Sequence, residues 1–212
     1  YMPGQIHGPI SAYPKSQRVF FGYGTNARGV AQIVNRELLL KGPHAPNSKN
    51  LLAPEVARID LPEFMGAHTT FPLLQVEMPD FKESEIKVRD FLVIVNENNT
   101  TVCNEPRQMA YFVDITDERR PLGVANYEPL ESSGNFCARG GRFGAHSSNE
   151  NMTPIFYKKL MFFSWFSAGV RMVDVRNPYR PREVGYYIPP IQPTTDERCA
   201  DEKNKTNCVP VI

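Results

Sequence analysis

An all-β fold of repeated four-stranded antiparallel units is what the sequence predicts, on three observations. Two segments align with each other without gaps: QMAYFVDITDERRPLGVANYEP (Gln108 to Pro129) and GVRMVDVRNPYRPREVGYYIPP (Gly169 to Pro190). Internal self-similarity of this kind marks a repeat architecture. Helical periodicity is nearly absent, whereas short runs alternate apolar and polar residues, the period of a half-buried strand. Nineteen prolines and fourteen glycines in 212 residues punctuate the chain too often for long helices and mark turns between short strands.

Each aligned segment begins with an alternating strand that ends in Val-Asp, at Asp114 or Asp174. A polar turn with a proline follows (Pro121 or Pro181), then a strand with a Gly-Val or Val-Gly pair and tyrosines. A fainter copy lies upstream. GVAQIVNRELLL supplies its first strand, with Asn35 in the place of the aspartates. The loop KGPHAPNSKN comes next, and PEVARIDLP (Pro54 to Pro62) then matches REVGYYIPP. Before each unit stands an apolar strand: RVFFGYG (Arg18 to Gly24), DFLVIVNE (Asp90 to Glu97) and LMFFSWF (Leu160 to Phe166). Before each of those stands a segment bearing a histidine: QIHGPI (Gln5 to Ile10), GAHTTFPL (Gly66 to Leu73) and FGAHSSNEN (Phe143 to Asn151). The expected units are residues 5–62, 63–130 and 138–190, with 191–212 a loop leading into a next unit.

Four short antiparallel strands per repeat are the signature of a β-propeller blade. A pair of sandwiches is the competing all-β reading, but sandwiches need no unit-to-unit similarity. Propellers close with about 4–8 blades. About three blades are therefore expected to be part of a larger, seven-bladed propeller, its remainder cut away or supplied by another chain.

A net charge of +1, with no Lys/Arg cluster, gives no footprint for nucleic acid. No apolar run approaches the ~20 residues that span a bilayer as a helix, so no transmembrane segment is expected. The first residue is Tyr1 rather than Met, which suits a processed product or a fragment, including one that has lost a signal peptide. Of the four cysteines, Cys199 and Cys208 flank the polar segment ADEKNKT and read as a small disulfide-closed loop. Cys103 and Cys137 form the second expected pair, which needs the long loop after the second unit to fold back. An even cysteine count in a turn-rich chain is compatible with an oxidising compartment, and four unrelated thiols are the alternative.

The first strand of a propeller blade lines the central channel, so equivalent positions of successive blades converge. His7, His68 and His146 are then expected to face one volume. Three neutral imidazoles with an open position suit Zn²⁺, Cu or Fe. Glu150 is the candidate catalytic carboxylate, as ligand, general base or partner of a ring nitrogen, and Asn149 and Asn151 are candidates to orient a bound water. The competing reading has each histidine pin a contact between blades with no metal at all. His44 lies in a Pro/Asn/Lys loop and reads as surface. Arg139 and Arg142, set among glycines, are placed to reach an anion bound at the mouth, with plain surface charge as the alternative. Asp114 and Asp174 read as turn-forming carboxylates that accept from nearby backbone N–H groups. Trp165 reads as core between sheets. No Gly-x-Ser-x-Gly, P-loop or HExxH occurs, so serine hydrolase, NTPase and zincin readings have no support.

VDVRNPYRPREVGYYIPP, VDITDERRPLGVANYEP and the literal LVIV of Leu92 to Val95 resemble the LVIVD-repeat proteins, which are bacterial, mostly extracytoplasmic β-propellers. CARGGRFGAHSSNEN and GAHTTFPL are similar to segments of one branch, in which a Gly-Pro-His is followed by a second histidine and Glu-Asn. Here Ala145 stands for the proline and Asn149 for the second histidine. The resemblance runs from about His7 to Val211 and implies a periplasmic, secreted or cell-surface location. Two functions follow as expectations. One is a binding or scaffold module whose long loops meet an unknown protein or small-molecule ligand. The other is a metal-dependent oxidoreductase or hydrolase with its chemistry at the channel mouth.

Overall fold

The computed structural model describes residues 5–24, 28–78, 80, 85, 87–97, 99, 105, 108–133, 142–195, 197–201 and 203–210. Their architecture is all-β, with three four-stranded antiparallel sheets in chain order. The first holds β1 (Ile6–Ser11), β2 (Arg18–Tyr23), β3 (Val30–Asn35) and β4 (Glu55–Asp60). The second holds β5 (Thr69–Glu77), β6 (Val88–Val95), β7 (Ala110–Asp114) and β8 (Leu122–Tyr127). The third holds β9 (Gly144–Ser148), β10 (Leu160–Phe166), β11 (Gly169–Asp174) and β12 (Arg182–Tyr187). Within each sheet every strand pairs with the one before it, as the repeat predicts.

The repeat is also visible in the irregularities. The pairing of the third and fourth strands slips at Ile33/Val34, at Phe112/Val113 and at Met172/Val173. These are matching positions in the three units, each one or two residues before the Asn35, Asp114 or Asp174 that ends the strand. Those three side chains then do the same local work. Thr116 donates its amide to Asp114 and Arg176 donates its amide to Asp174, at 2.9 and 3.0 Å, as expected for turn-forming carboxylates. Asn35 accepts from the Leu38 amide at 3.0 Å, but here the acceptor caps a helix.

Two departures from the sequence reading follow from such local chemistry. The strand expected to run through RELLL stops at Asn35, because Asn35 caps α1 (Arg36–Lys41) and the residues beyond it are good helix formers. A second short helix, α2 (Ser48–Leu52), is capped in the same way by Asn47. The tail, expected as a loop, contains an antiparallel hairpin of β13 (Glu197–Asp201) and β14 (Thr206–Pro210). Cys199 and Cys208 pair across it and form the expected disulfide. Cys103 and Cys137 lie outside the described residues.

Two cores fill the spaces between sheets. Phe20, Ala31 and Ile33 of the first sheet pack with Leu92, Ile94, Val113 and Ile115 around the second. Phe91, Val93, Val95 and Phe112, on the other face of the second sheet, pack with Met161, Phe163, Trp165 and Val173 of the third. The LVIV run is therefore continuously apolar because both faces of its strand are covered. Trp165 is core, as expected, and lies edge-on to Tyr127 with centroids 6.0 Å apart. Tyr157 reaches from the third unit to the second, donating to the Pro72 carbonyl and accepting from the Leu74 amide at 2.9 Å. Between the sheets, β5 lies against β1 and β2, and β9 lies against β5 and β6. The first strand of the second unit therefore neighbours the first strands of both other units.

Candidate metal centre

Backbone contacts between the first and second sheets set the first half of the site. Gly29 donates to the Met65 carbonyl and Ala67 donates to the Tyr23 carbonyl, both at 3.1 Å. His68 donates its own amide to Val95 at 2.9 Å. The segment 65–68 is thus stitched to both sheets. Gly22, the register partner of His7, permits the approach: a Cβ there would lie 2.7 Å from the carbonyl oxygens of both Ala67 and His68. With that space left open, the rings of His7 and His68 come to 3.6 Å between centroids.

The third unit supplies the rest. On β9, Ala145 pairs with Trp165 and Ser147 with Ser164, which leaves His146 as the extra residue of a bulge. A bulge re-aims a side chain, and the His146 ring lies 5.0 Å from that of His68, edge to face. It also stacks on Phe166 at 4.6 Å. The structure therefore brings together all three histidines singled out from the repeat.

The carboxylate in this cluster is Glu97. Its Oε2 lies 3.9 Å from His68 Nε2 and its Oε1 lies 3.8 Å from His146 Nε2. Arg142 donates to Oε1 at 2.8 Å, and its guanidinium lies 3.8 Å over the Phe166 ring. Ligand atoms of His7, His68 and Glu97 all fall within 4.8 Å of one another. His146 does not share that mutual reach, so the expected set of three imidazoles becomes two imidazoles and a carboxylate, with the third ring alongside. Ligands ~2.0–2.2 Å from one ion stand closer than 4.8 Å to each other, so these side chains would have to draw slightly inward to hold one.

The remaining candidates separate clearly. Glu150 is exposed beyond the end of β9, and the carboxylate position expected for it is filled by Glu97. Asn149 accepts from the Phe162 amide of β10 at 2.9 Å and so extends the β9–β10 pairing, and Asn151 accepts from the Thr153 amide at 2.7 Å in the following turn. Arg142 is the partner of Glu97, and Arg139 lies outside the described residues. His44 is exposed between the two short helices.

The electrostatics favour neutral imidazoles. Burial, then the neighbouring rings of His7 and His146, then Arg142, push the His68 pKa down to about 3. His146 is lowered as well, chiefly by burial. Glu97 opposes that shift, and Arg142 and His7 add to it. A neutral ring is what a metal needs as a ligand. His68 Nδ1 lies 3.1 Å from Thr69 Oγ1. The tautomer that donates from Nδ1 to Thr69 leaves the Nε2 lone pair facing Glu97, the kind of outer contact that orients ligating histidines.

Sequence reasoning missed Glu97, although a signal was there. In an antiparallel pair the residue just after β6 lies beside the residue just before β5. Glu97 follows LVIV by two residues and His68 precedes Thr69, so pairing places them at the same end of the sheet. No protein-family model matches the chain, and no curated protein matches it.

Proposed function

We propose that this chain is part of an extracytoplasmic β-propeller of the LVIVD-repeat type that holds a divalent transition metal, Zn, Cu or Fe, on His7, His68 and Glu97. The single observation that carries the reading is the convergence of these side chains, from two successive units, with ligand atoms all within 4.8 Å of one another. Two imidazoles and one carboxylate make a donor set used for Zn and for non-haem iron. When bound, the ion supplies Lewis acidity or redox capacity. The protein supplies two imidazole nitrogen donors and a carboxylate held by Arg142. The Cys199–Cys208 disulfide suits an oxidising compartment. Among the described residues no helix is long and apolar enough to cross a membrane.

The role we assign first is that of a binding or scaffold module. Val170, Val184 and Tyr187 on the third sheet are exposed, which suits further blades or another chain completing the propeller. A metal-dependent oxidoreductase or hydrolase is the second reading, favoured by the placement of His146 beside the donor set rather than in it. Metal analysis after equilibration with Zn²⁺, Cu²⁺ or Fe²⁺ and removal of excess tests the proposal. Wild type should retain one ion per chain, and His68→Ala and Glu97→Ala should lose it while keeping their melting transitions. A wild-type chain that retains no ion would refute the metal site and leave the histidines as contacts between units.

A further inference from the structure

Building on the metal reading above, we propose that His146 serves as the binding residue for a small anion at the metal's open position. Three protein ligands would leave coordination positions for an exogenous group. His146 is the polar side chain best placed to meet that group. Its ring is 5.0 Å from His68, so it adjoins the donor set. Its Nε2 faces the Glu97 oxygen that Arg142 holds, not the one nearest His68.

Two features hold the ring there. The bulge in β9 aims it away from the core side chain of Ala145, and the stack on Phe166, with planes 19° apart, limits its rotation. A site needs such pre-set geometry if a hydrogen bond is to add affinity rather than pay for ordering.

Charge selects the class of ligand. Arg142 and His146 both face Oε1 of Glu97, and a bound divalent cation would add its charge to that of the guanidinium against this one carboxylate. The excess positive charge favours an anion, and a half-buried setting strengthens that preference over bulk water. His146 would donate its imidazole N–H to an anion held there. The class is a small inorganic anion or a compact carboxylate, because the His68 ring stands only 3.6 Å from that of His7 and 5.0 Å from that of His146 between centroids.

Cobalt(II) and azide test this on the full chain. Co²⁺ replaces the resident ion as a coloured reporter, and azide titration is followed by the change in its visible spectrum. We expect His146→Ala to keep Co²⁺ affinity and to weaken azide about tenfold, the size of one lost hydrogen bond to a charged partner. His146→Gln, which restores an N–H donor, should recover part of the loss. If His146→Ala loses Co²⁺ as His68→Ala does, His146 is a ligand and the assignment is overturned. If His146→Ala keeps Co²⁺ and binds azide as wild type does, His146 has no part in anion binding and the inference also falls. If wild type takes up no Co²⁺, the metal reading fails, a result plainly different from the other two. Thermal melts of both variants separate a local effect from a loss of fold.

Discussion

In β6 of the second sheet, Phe91, Val93 and Val95 face one core while Leu92 and Ile94 face the other, and all five are buried. In β10 of the third sheet, Met161, Phe163 and Trp165 are buried, but Phe162, Ser164 and Phe166 alternate with them and stay partly open. The two strands hold the same place in the repeat. Their turn aspartates differ in the same way. Asp114 is buried and receives Arg89 Nε and, at 2.9 Å, the hydroxyl of Tyr179 from the third unit. Asp174 is paired mainly with the exposed Arg176, two residues away. Equivalent sequence positions therefore carry unequal energy, because among the described residues one sheet has neighbours on both faces and the other on one.

The largest test of this contrast is Phe91→Ala. It removes a fully buried ring that meets Tyr179 edge-on at 5.6 Å, and should cost about 3–5 kcal/mol in denaturant unfolding. A loss near 1 kcal/mol would mean that the second sheet is no better covered than the third. Next is Asp114→Asn, which leaves Arg89 and Tyr179 without their anionic acceptor. We expect a loss on the order of 2 kcal/mol, the range for hydrogen bonds to a charged group. Equal destabilisation by Asp114→Asn and Asp174→Asn would break the comparison.

Acid sharpens it. Burial works to raise the Asp114 carboxyl, but Arg89, Thr116 and Tyr179 outweigh it and hold the pKa below the usual value of 3.8. As pH falls, the unfolded chain takes up this proton before the folded one does. The contribution is therefore complete above about pH 4–5 and is lost as pH falls toward the lower folded value. Wild type should lose melting temperature over that interval more steeply than Asp114→Asn, and parallel curves would contradict the assignment. The smallest effect belongs to Phe162→Ala. Its ring meets Phe156 at 5.2 Å near the open face, and its removal should cost about 1 kcal/mol or less.

Much of the fold was legible because it is written in local chemistry. The period-2 alternation of LMFFSWF, the Val-Asp endings and the matched prolines are each properties of a few adjacent residues. They specify strands, turn carboxylates and unit order without knowledge of the whole. The misreadings were local competitions. RELLL is apolar enough to extend a strand, but Asn35 caps it into a helix. The tail ADEKNKT is polar enough to read as loop, yet the cysteine pair on either side closes a hairpin. In the site, the three histidines were visible through their repeat positions. Glu97 was not singled out because a glutamate after LVIV reads locally as a solvated strand end, although pairing with the histidine strand places it beside His68.

The sequence by itself determined the units: four strands each, where they turn, and which histidine each unit carries. Those follow from side-chain alternation, proline and Asx chemistry, which act over a few residues. Only the tertiary structure decided which groups share a volume. The absent Cβ of Gly22 lets the Ala67–His68 backbone close on the first sheet. The bulge in β9 turns His146 toward it, and Arg142 draws Glu97 into the cluster in place of Glu150. Each of these contacts joins residues far apart in the chain. Their selection depends on how whole sheets pack, a property no single stretch of sequence contains.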